Sequence, residues 1–330
     1  MSGMGKPFLS LEKQIEKLSS RGLEIKSVSD AKQQLLRTTY YDLINGYKDV
    51  FLVEKIDPEE EDQYIRGTTF EDILDLYNLD REIRHVTLEV LLDIECTFYS
   101  SLAYCLSEIY GEKQEDYLKK ENFRLGRKQR HNNRFERDNL LWKIGKKINE
   151  PDEQPLKYYK EQYGNIPPWI LVKGLSFGEL VMLYKLSSDV VKSNVIMNII
   201  GREASDHDKE FFLKSMEIFN RYRNLAAHGG RIYNNWTNFE LPYKPELFRI
   251  LGIEKAAHNK GKGRNDYAAF TIGLLFFFQN NHRGMLEFII YLEGSMSEYQ
   301  KKQPSHYEWT LASLGIPSNY HRSFLDHIGL

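Results

Sequence analysis

Along two long stretches of the chain, apolar residues recur at intervals of three and four, and these stretches set the architecture to expect. In the first, Ile73, Leu76, Tyr77, Ile83, Val86, Leu88, Leu91, Ile94, Phe98 and Leu102 follow one another to about Tyr110 without a proline or glycine. Thr69 and Asp72 form a candidate capping box at its start. The stretch is long enough for one helix of about 60 Å, or for two helices meeting at an unpunctuated kink. In the second, Phe212, Met216, Phe219, Leu225 and Ala226 mark one apolar face. Asp206 is the candidate N-cap there, and Asp208 and Glu210 place negative charge on the first turn, where the helix dipole favours it. Gly229-Gly230 supplies the left-handed residue that ends such a helix.

Shorter patterns fill the rest. Residues 10–22 read as a helix capped by Ser10, with Leu11, Ile15 and Leu18 on one face and Gly22 as the stop. Residues 30–45 read as a second, with Leu35, Leu36, Tyr40 and Leu43 inward and Gly46 following. An extended approach through Pro167 and Pro168 and a turn at Gly174 lead to a helix over 176–187, where Phe177-Gly178 permits close packing. Residues 54–64 form an acidic loop, 234–266 carry little periodicity, and 267–281 and 285–300 are two apolar helices. No strand pattern competes with these. The fold class to expect is all-α.

Composition changes this picture only locally. The net charge is −2, so any nucleic-acid surface must be a local one. That surface has a candidate in residues 119–147, where eleven Lys or Arg face three acidic residues, Glu121, Glu136 and Asp138. Phe123, His131, Phe135 and Trp142 are interleaved among cations that include Arg124, Arg127, Lys128, Arg130, Arg134 and Arg137. Basic residues mixed with planar side chains suit a phosphate backbone with exposed bases. A solvated helix or loop face accounts for the same composition. Residues 255–264 form a smaller basic patch, read as a flexible loop, without the glycine spacing of a phosphate-cradling loop. Cys96 and Cys105, if on one helix, are separated by about 13 Å, too far for a disulfide. Few, unpaired cysteines and no apolar leader or bilayer-length run lead us to expect a cytoplasmic protein without membrane association.

Candidate chemistry gathers at the end of the second long helix, in RNLAAH. Helix pitch puts Asn224 and His228 on one face, with Arg223 about 100° round and long enough to reach the same place. A guanidinium can hold phosphate oxygens through two hydrogen bonds, and an imidazole can move a proton to or from a ribose oxygen. The same residues also admit a plain structural reading, with His228 complementing the helix dipole and Arg223 pairing with a surface carboxylate. An Arg followed shortly by a His recurs at Arg202/His207 and Arg322/His327, so the context of the pair, rather than its spacing, sets Arg223/His228 apart. No Cys or His pairs and no clustered carboxylates stand at metal-ligand spacing, so neither a metal nor another cofactor is expected.

RNLAAHGGRIYN resembles the signature of the Abi family (AbiD/AbiF type) of bacterial abortive-infection proteins, members of the HEPN superfamily. KPFLSLEKQIEKLSSRGLEI, FEDILDLYNLDREIRHVTLEVLLDIE and IPPWILVKGLSFGELVMLYKLSS are similar to further blocks of that family. One departure is Tyr99, where the resemblance leads one to expect a basic residue. The resemblance implies a HEPN-like helical bundle over 65–235 with a basic insertion near 113–150. An N-terminal helical pair over 1–64 precedes it and a C-terminal helical extension over 236–330 follows. It further implies a metal-independent endoribonuclease working in abortive-infection phage defence or as the toxin of a toxin–antitoxin pair. Its residues would be Arg223, Asn224 and His228, with Arg231 as a further phosphate contact. The implied partners are RNA, as substrate and as a small noncoding RNA antitoxin, and a second copy of the chain. Asp80, Arg81, Arg84 and Glu95 either support that site or form a salt-bridged helix surface. Two other classes stay open: a non-catalytic HEPN-like RNA- or protein-binding module, and a DNA-binding regulator using the helical pair in 10–46.

Overall fold

A computed structural model of the chain describes residues 7–130 and 133–329. His131 and the Lys6 that opens KPFLSLEKQ lie outside the described residues. Among the described residues there are helices, turns and isolated β-bridges, and no strands. The all-α expectation therefore holds. The long pattern resolves as one continuous helix, Phe70–Tyr110. Its start is the expected box: Thr69 N–H donates to the Asp72 carboxylate at 2.8 Å, and Asp72 N–H to the Thr69 hydroxyl at 3.2 Å.

The chain divides into two compact units. One comprises the residues up to Arg84 together with Leu292–Leu311. Its helical pair is Leu11–Ser20, capped by Ser10, and Val28–Arg37, capped by Ser27. The second helix is shorter than its apolar pattern, because Thr38 turns extended and the chain resumes as a separate π-turn at Tyr41–Asn45. That break changes the face: Leu35 and Leu43 are buried as expected, but Leu36 is 73% exposed. Asp80 and Arg84 are not a helix surface. Both are buried, Arg84 donating to Asp80 at 2.6 Å and to the Tyr47 hydroxyl at 3.2 Å, while Tyr47 donates to Asp80 at 2.6 Å. A buried pair persists when its remaining valences are met in this way. Arg81, by contrast, is exposed and pairs with Glu82.

The other unit comprises His85–Tyr291 and Ala312–Leu330. Its centre is the Asp206–Ala227 helix, packed against Tyr267–Phe277 and Phe177–Leu186. The aromatic share of the composition is spent here: Phe98, Tyr184 and Phe212 form a cluster with ring centroids 5.3 to 6.0 Å apart, and Phe211 meets Phe276 at 4.9 Å. The Phe177–Leu186 helix has its own capping box, Ser176 with Glu179. Gly178 lets this helix approach the central one, since a Cβ there would lie 3.3 Å from the Asn220 side chain. The approach to it is not extended beyond Pro167: Pro168–Leu171 is a short helix with proline at its first turn, continued by a 3-10 turn over Val172–Gly174. Residues 255–264 are likewise not a plain loop, since Lys255–Asn259 is helical and His258 is buried, 3.0 Å from the Leu241 carbonyl.

The N-cap of the central helix is Ser205 rather than Asp206. Ser205 and Asp208 exchange bonds, hydroxyl from Asp208 N–H at 3.1 Å and carboxylate from Ser205 N–H at 3.0 Å, which satisfies more backbone donors than Asp206 alone would. Asp208 is 2% exposed and also takes both Arg202 nitrogens, at 2.9 and 3.1 Å, and the Lys244 ammonium at 2.9 Å. Burial alone would raise its carboxyl, but the bonds from Arg202, Lys244 and Ser205 outweigh it and hold the group well below the usual carboxylate range. A depressed carboxyl contributes stability above its unfolded value of about 3.9 and loses it as the pH falls through the folded value. Asp208→Asn should therefore lower stability by about 3 kcal/mol at neutral pH, by analogy with breaking other buried pairs. In denaturant titrations the gap to wild type should close as the pH is taken below about 4; a gap that is constant with pH would remove the charge from the explanation.

Candidate functional site

The last turns of the Asp206–Ala227 helix carry the candidate chemistry, and three local features fix where that helix stops. Tyr222 is fully buried, its ring 5.5 Å from Tyr267 and 5.1 Å from Phe270. Its hydroxyl donates to the Asn235 carbonyl at 3.2 Å, which ties the returning chain to the helix. Burial pushes this phenol well above its usual value, so it stays a neutral donor. His228 is the C-cap, its N–H reaching the Asn224 carbonyl at 3.1 Å. Gly229 then adopts φ 71°, and Gly230 N–H donates to the Leu225 carbonyl at 2.8 Å, the long bond of a Schellman end. Ile232 and Tyr233 beyond it are fully buried and anchor the exit.

With the helix anchored so, its working end faces out. Asn224, His228 and Arg231 are exposed, and Leu225 and Ala226, expected inside, are only half-buried. Arg223 is half-buried, its Nε 3.7 Å from the Glu95 carboxylate on the Phe70–Tyr110 helix. That separation is an ion pair but too long for a hydrogen bond, and neither the Arg223 Nε nor the facing Glu95 oxygen has a hydrogen-bond partner. Burial pushes the Glu95 carboxyl up, and the nearby guanidinium offsets only part of this. The structure thus brings Glu95 to Arg223, at the helix end that also carries Asn224 and His228. Arg223, Asn224 and His228 were legible locally. Glu95, far away in sequence, is the one of the possible supports Asp80, Arg81, Arg84 and Glu95 that pairs with a residue of this helix end.

The basic stretch has its own setting. Phe123 bridges Ser187, Lys128 bridges Phe135, and a helix follows at Glu136–Asn149. Arg124 pairs with Asp189, and Arg137 with Asp138 at 3.2 Å. Arg127 donates its backbone N–H to Glu136 at 3.0 Å, and the other oxygen of that carboxylate takes Lys185 at 3.0 Å. Arg124, Arg127, Lys128, Arg130 and Arg134 are exposed, while Arg137 is half-buried. The Arg134 guanidinium lies 5.3 Å from the ring of Trp142, itself 54% exposed, and Lys128 lies 6.0 Å from that of Phe135. Arg124 and Arg137 are thus paired within the fold, and Arg134 stands exposed beside an aromatic ring.

At Tyr99 a cation arrives from another element, the Lys173 ammonium 2.6 Å from the phenol oxygen. Among the described residues, no three His, Cys, Asp or Glu side chains converge as a metal site would require, and no helix is long and apolar enough to cross a membrane.

A family model described as "Abi-like protein" matches residues 33–234, well over half of the chain. The chain belongs to the Abi-like protein family. Membership implies abortive-infection phage defence, and the matched span holds Glu95, the basic stretch and the whole Arg223–Arg231 segment of this Abi-like protein. No curated protein and no solved structure matches it.

In the Abi-like chain Glu95 and Asp208 should titrate with opposite signs. A raised carboxyl opposes folding increasingly as the pH climbs past its unfolded value of about 4.3. Relative to wild type, Glu95→Gln should therefore gain thermal stability on going from pH 4 to about pH 7. Melting curves that move in parallel would show that Glu95 does not titrate as a half-buried group.

Proposed function

We propose that this chain is a metal-independent endoribonuclease of the HEPN type. The observation that carries this reading is that a guanidinium, an amide and an exposed imidazole stand in the last turn and cap of one helix, with the guanidinium paired to Glu95. In the proposed reaction a ribose 2′-oxygen forms a bond to the adjacent phosphorus while the bond from phosphorus to the 5′-oxygen breaks. The products are a 2′,3′-cyclic phosphate and a 5′-hydroxyl end. One proton must leave the 2′-hydroxyl and another must reach the departing 5′-oxygen. His228 takes one of these transfers. Arg223 stabilises the charge that grows on the phosphoryl oxygens, Asn224 orients phosphate or imidazole, and Arg231 adds a phosphate contact.

A single imidazole does not readily serve as base and acid in the same in-line step. The second transfer is assigned to His228 of the partner subunit, in a homodimer whose helix ends face each other. The exposure of Asn224 and His228 supports this, because a shared site needs both groups at the surface. The outward cations of the basic stretch, Arg127, Lys128, Arg130 and Arg134 among them, suit RNA, either the substrate or a small noncoding RNA that restrains the enzyme.

The test compares wild type with His228→Ala and Arg223→Ala in cells, sequencing RNA after capture of 5′-hydroxyl ends. Each variant should lose cleavage by about a hundredfold or more, and wild-type cleavage should survive EDTA. Identical end profiles for all three would make the chain an RNA- or protein-binding module instead. Sedimentation of the active species checks the shared site: a strict monomer that still cleaves removes it.

A further inference from the structure

Beside the Glu95–Arg223 pair, on the same face of the Phe70–Tyr110 helix, a groove of about 430 Å³ opens towards the Pro168–Gly174 turns. Its floor is buried Ala103 and Val172, and its walls are planar: Tyr104 is 59% exposed and Trp169 46% exposed. Large aromatic side chains left in water beside a buried floor have an unfilled face. Lys173 is the one charged residue among the described lining. Its ammonium sits 4.1 Å from the Tyr99 ring centroid while donating to the phenol oxygen, so the cation is held at a fixed point of the groove. Tyr99 follows Glu95 by four residues, which places the groove and the Arg223 contact on successive turns of one helix face, about 6 Å apart in rise.

We propose that this groove is a base-binding subsite for single-stranded RNA, stacking one unpaired base on Trp169 and holding its phosphate on Lys173. The proposal rests on the ribonuclease reading for its substrate class. Charge complementarity selects the occupant: an apolar peptide anchor would bury Lys173 unpaired, whereas a nucleotide brings the aromatic face and the anion together. A-form duplex RNA cannot use the site, because its base faces are already stacked. Cleavage would then require an unpaired nucleotide next to the scissile phosphate, which makes loops and single strands the targets.

The experiment is a fluorescence-anisotropy titration in the His228→Ala background, where cleavage is disabled. The probe is a fluorescein-labelled oligouridylate of about ten nucleotides, free or annealed to its complement. Trp169→Ala and Lys173→Ala should each weaken binding of the free strand by about tenfold, and Trp169→Phe should bind like its parent. The annealed strand should show no such dependence. Equal binding by Trp169→Ala and Trp169→Phe would overturn the subsite. So would a dimer that dissociates in Trp169→Ala while RNA affinity is kept, since the groove would then be an interface between copies. If wild type cleaves nothing and the titration still separates the two variants, the catalytic reading falls and the subsite stands. Cleavage by wild type with an unresponsive titration gives the reverse.

Discussion

The burial of the aromatic face of the Asp206–Ala227 helix is the constraint from which the rest of its unit follows. Phe211, Phe212, Phe219 and Tyr222 are all fully out of water, and rings of that size are held only by close neighbours on several sides. The Tyr267–Phe277 helix supplies one side, so it is buried all round, and Phe177–Leu186 approaches on another through Gly178. Tyr222 is the last fully buried position before the end. Past it the register is already fixed, so the next turn has to leave the core. Arg223, Asn224 and His228 are where they are because Tyr222 is where it is.

Much of this was legible in the chain, for physical reasons that differ by element. The Phe70–Tyr110 helix declared itself through an uninterrupted period and a capping box, both local properties of consecutive residues. The helix stop at Gly229 was legible because a left-handed residue is required there and glycine supplies it at least strain. The errors fall where two local solutions competed. Ser205 and Asp206 are both good caps, and the choice was made by Asp208, whose carboxylate answers Ser205, the nearby Arg202 and the distant Lys244 at once. Leu36 continued an apolar pattern that the backbone did not continue, because Thr38 is extended. The Glu95–Arg223 pair, the Tyr47–Asp80–Arg84 network and the Lys173–Tyr99 contact were not legible from local pattern, since each joins elements far apart in sequence.

Charge shows the same division between composition and placement. Residues 119–147 look predominantly basic in one dimension, yet the fold answers Arg124 with Asp189 and Arg137 with Asp138. Exposed pairs of this kind contribute at most about 1 kcal/mol, so they order the side chains more than they stabilise the unit. Lys128, Arg130 and Arg134 are nevertheless exposed, the last with its guanidinium 5.3 Å from the Trp142 ring. A chain with net charge −2 can thus present a local surface for polyanions without a basic composition overall.

The geometry of Arg223 separates holding a cation from using it up. At 3.7 Å the Glu95 carboxylate attracts the guanidinium without taking a hydrogen bond from it, and the carboxyl's own raised value reflects how incompletely it is paired. A short bidentate pair would have been more stable and would have closed the fork to any other anion. An oriented cation that has not committed its donors is what an incoming anion needs. The same logic extends one turn along the helix, where Lys173 is positioned by an aromatic face and a single phenol rather than by a carboxylate. A π-face orients an ammonium without neutralising it, so its charge remains available to the groove. Two cations, Arg223 and Lys173, are thus held in this incomplete manner by Glu95 and Tyr99, which stand on successive turns of one helix face.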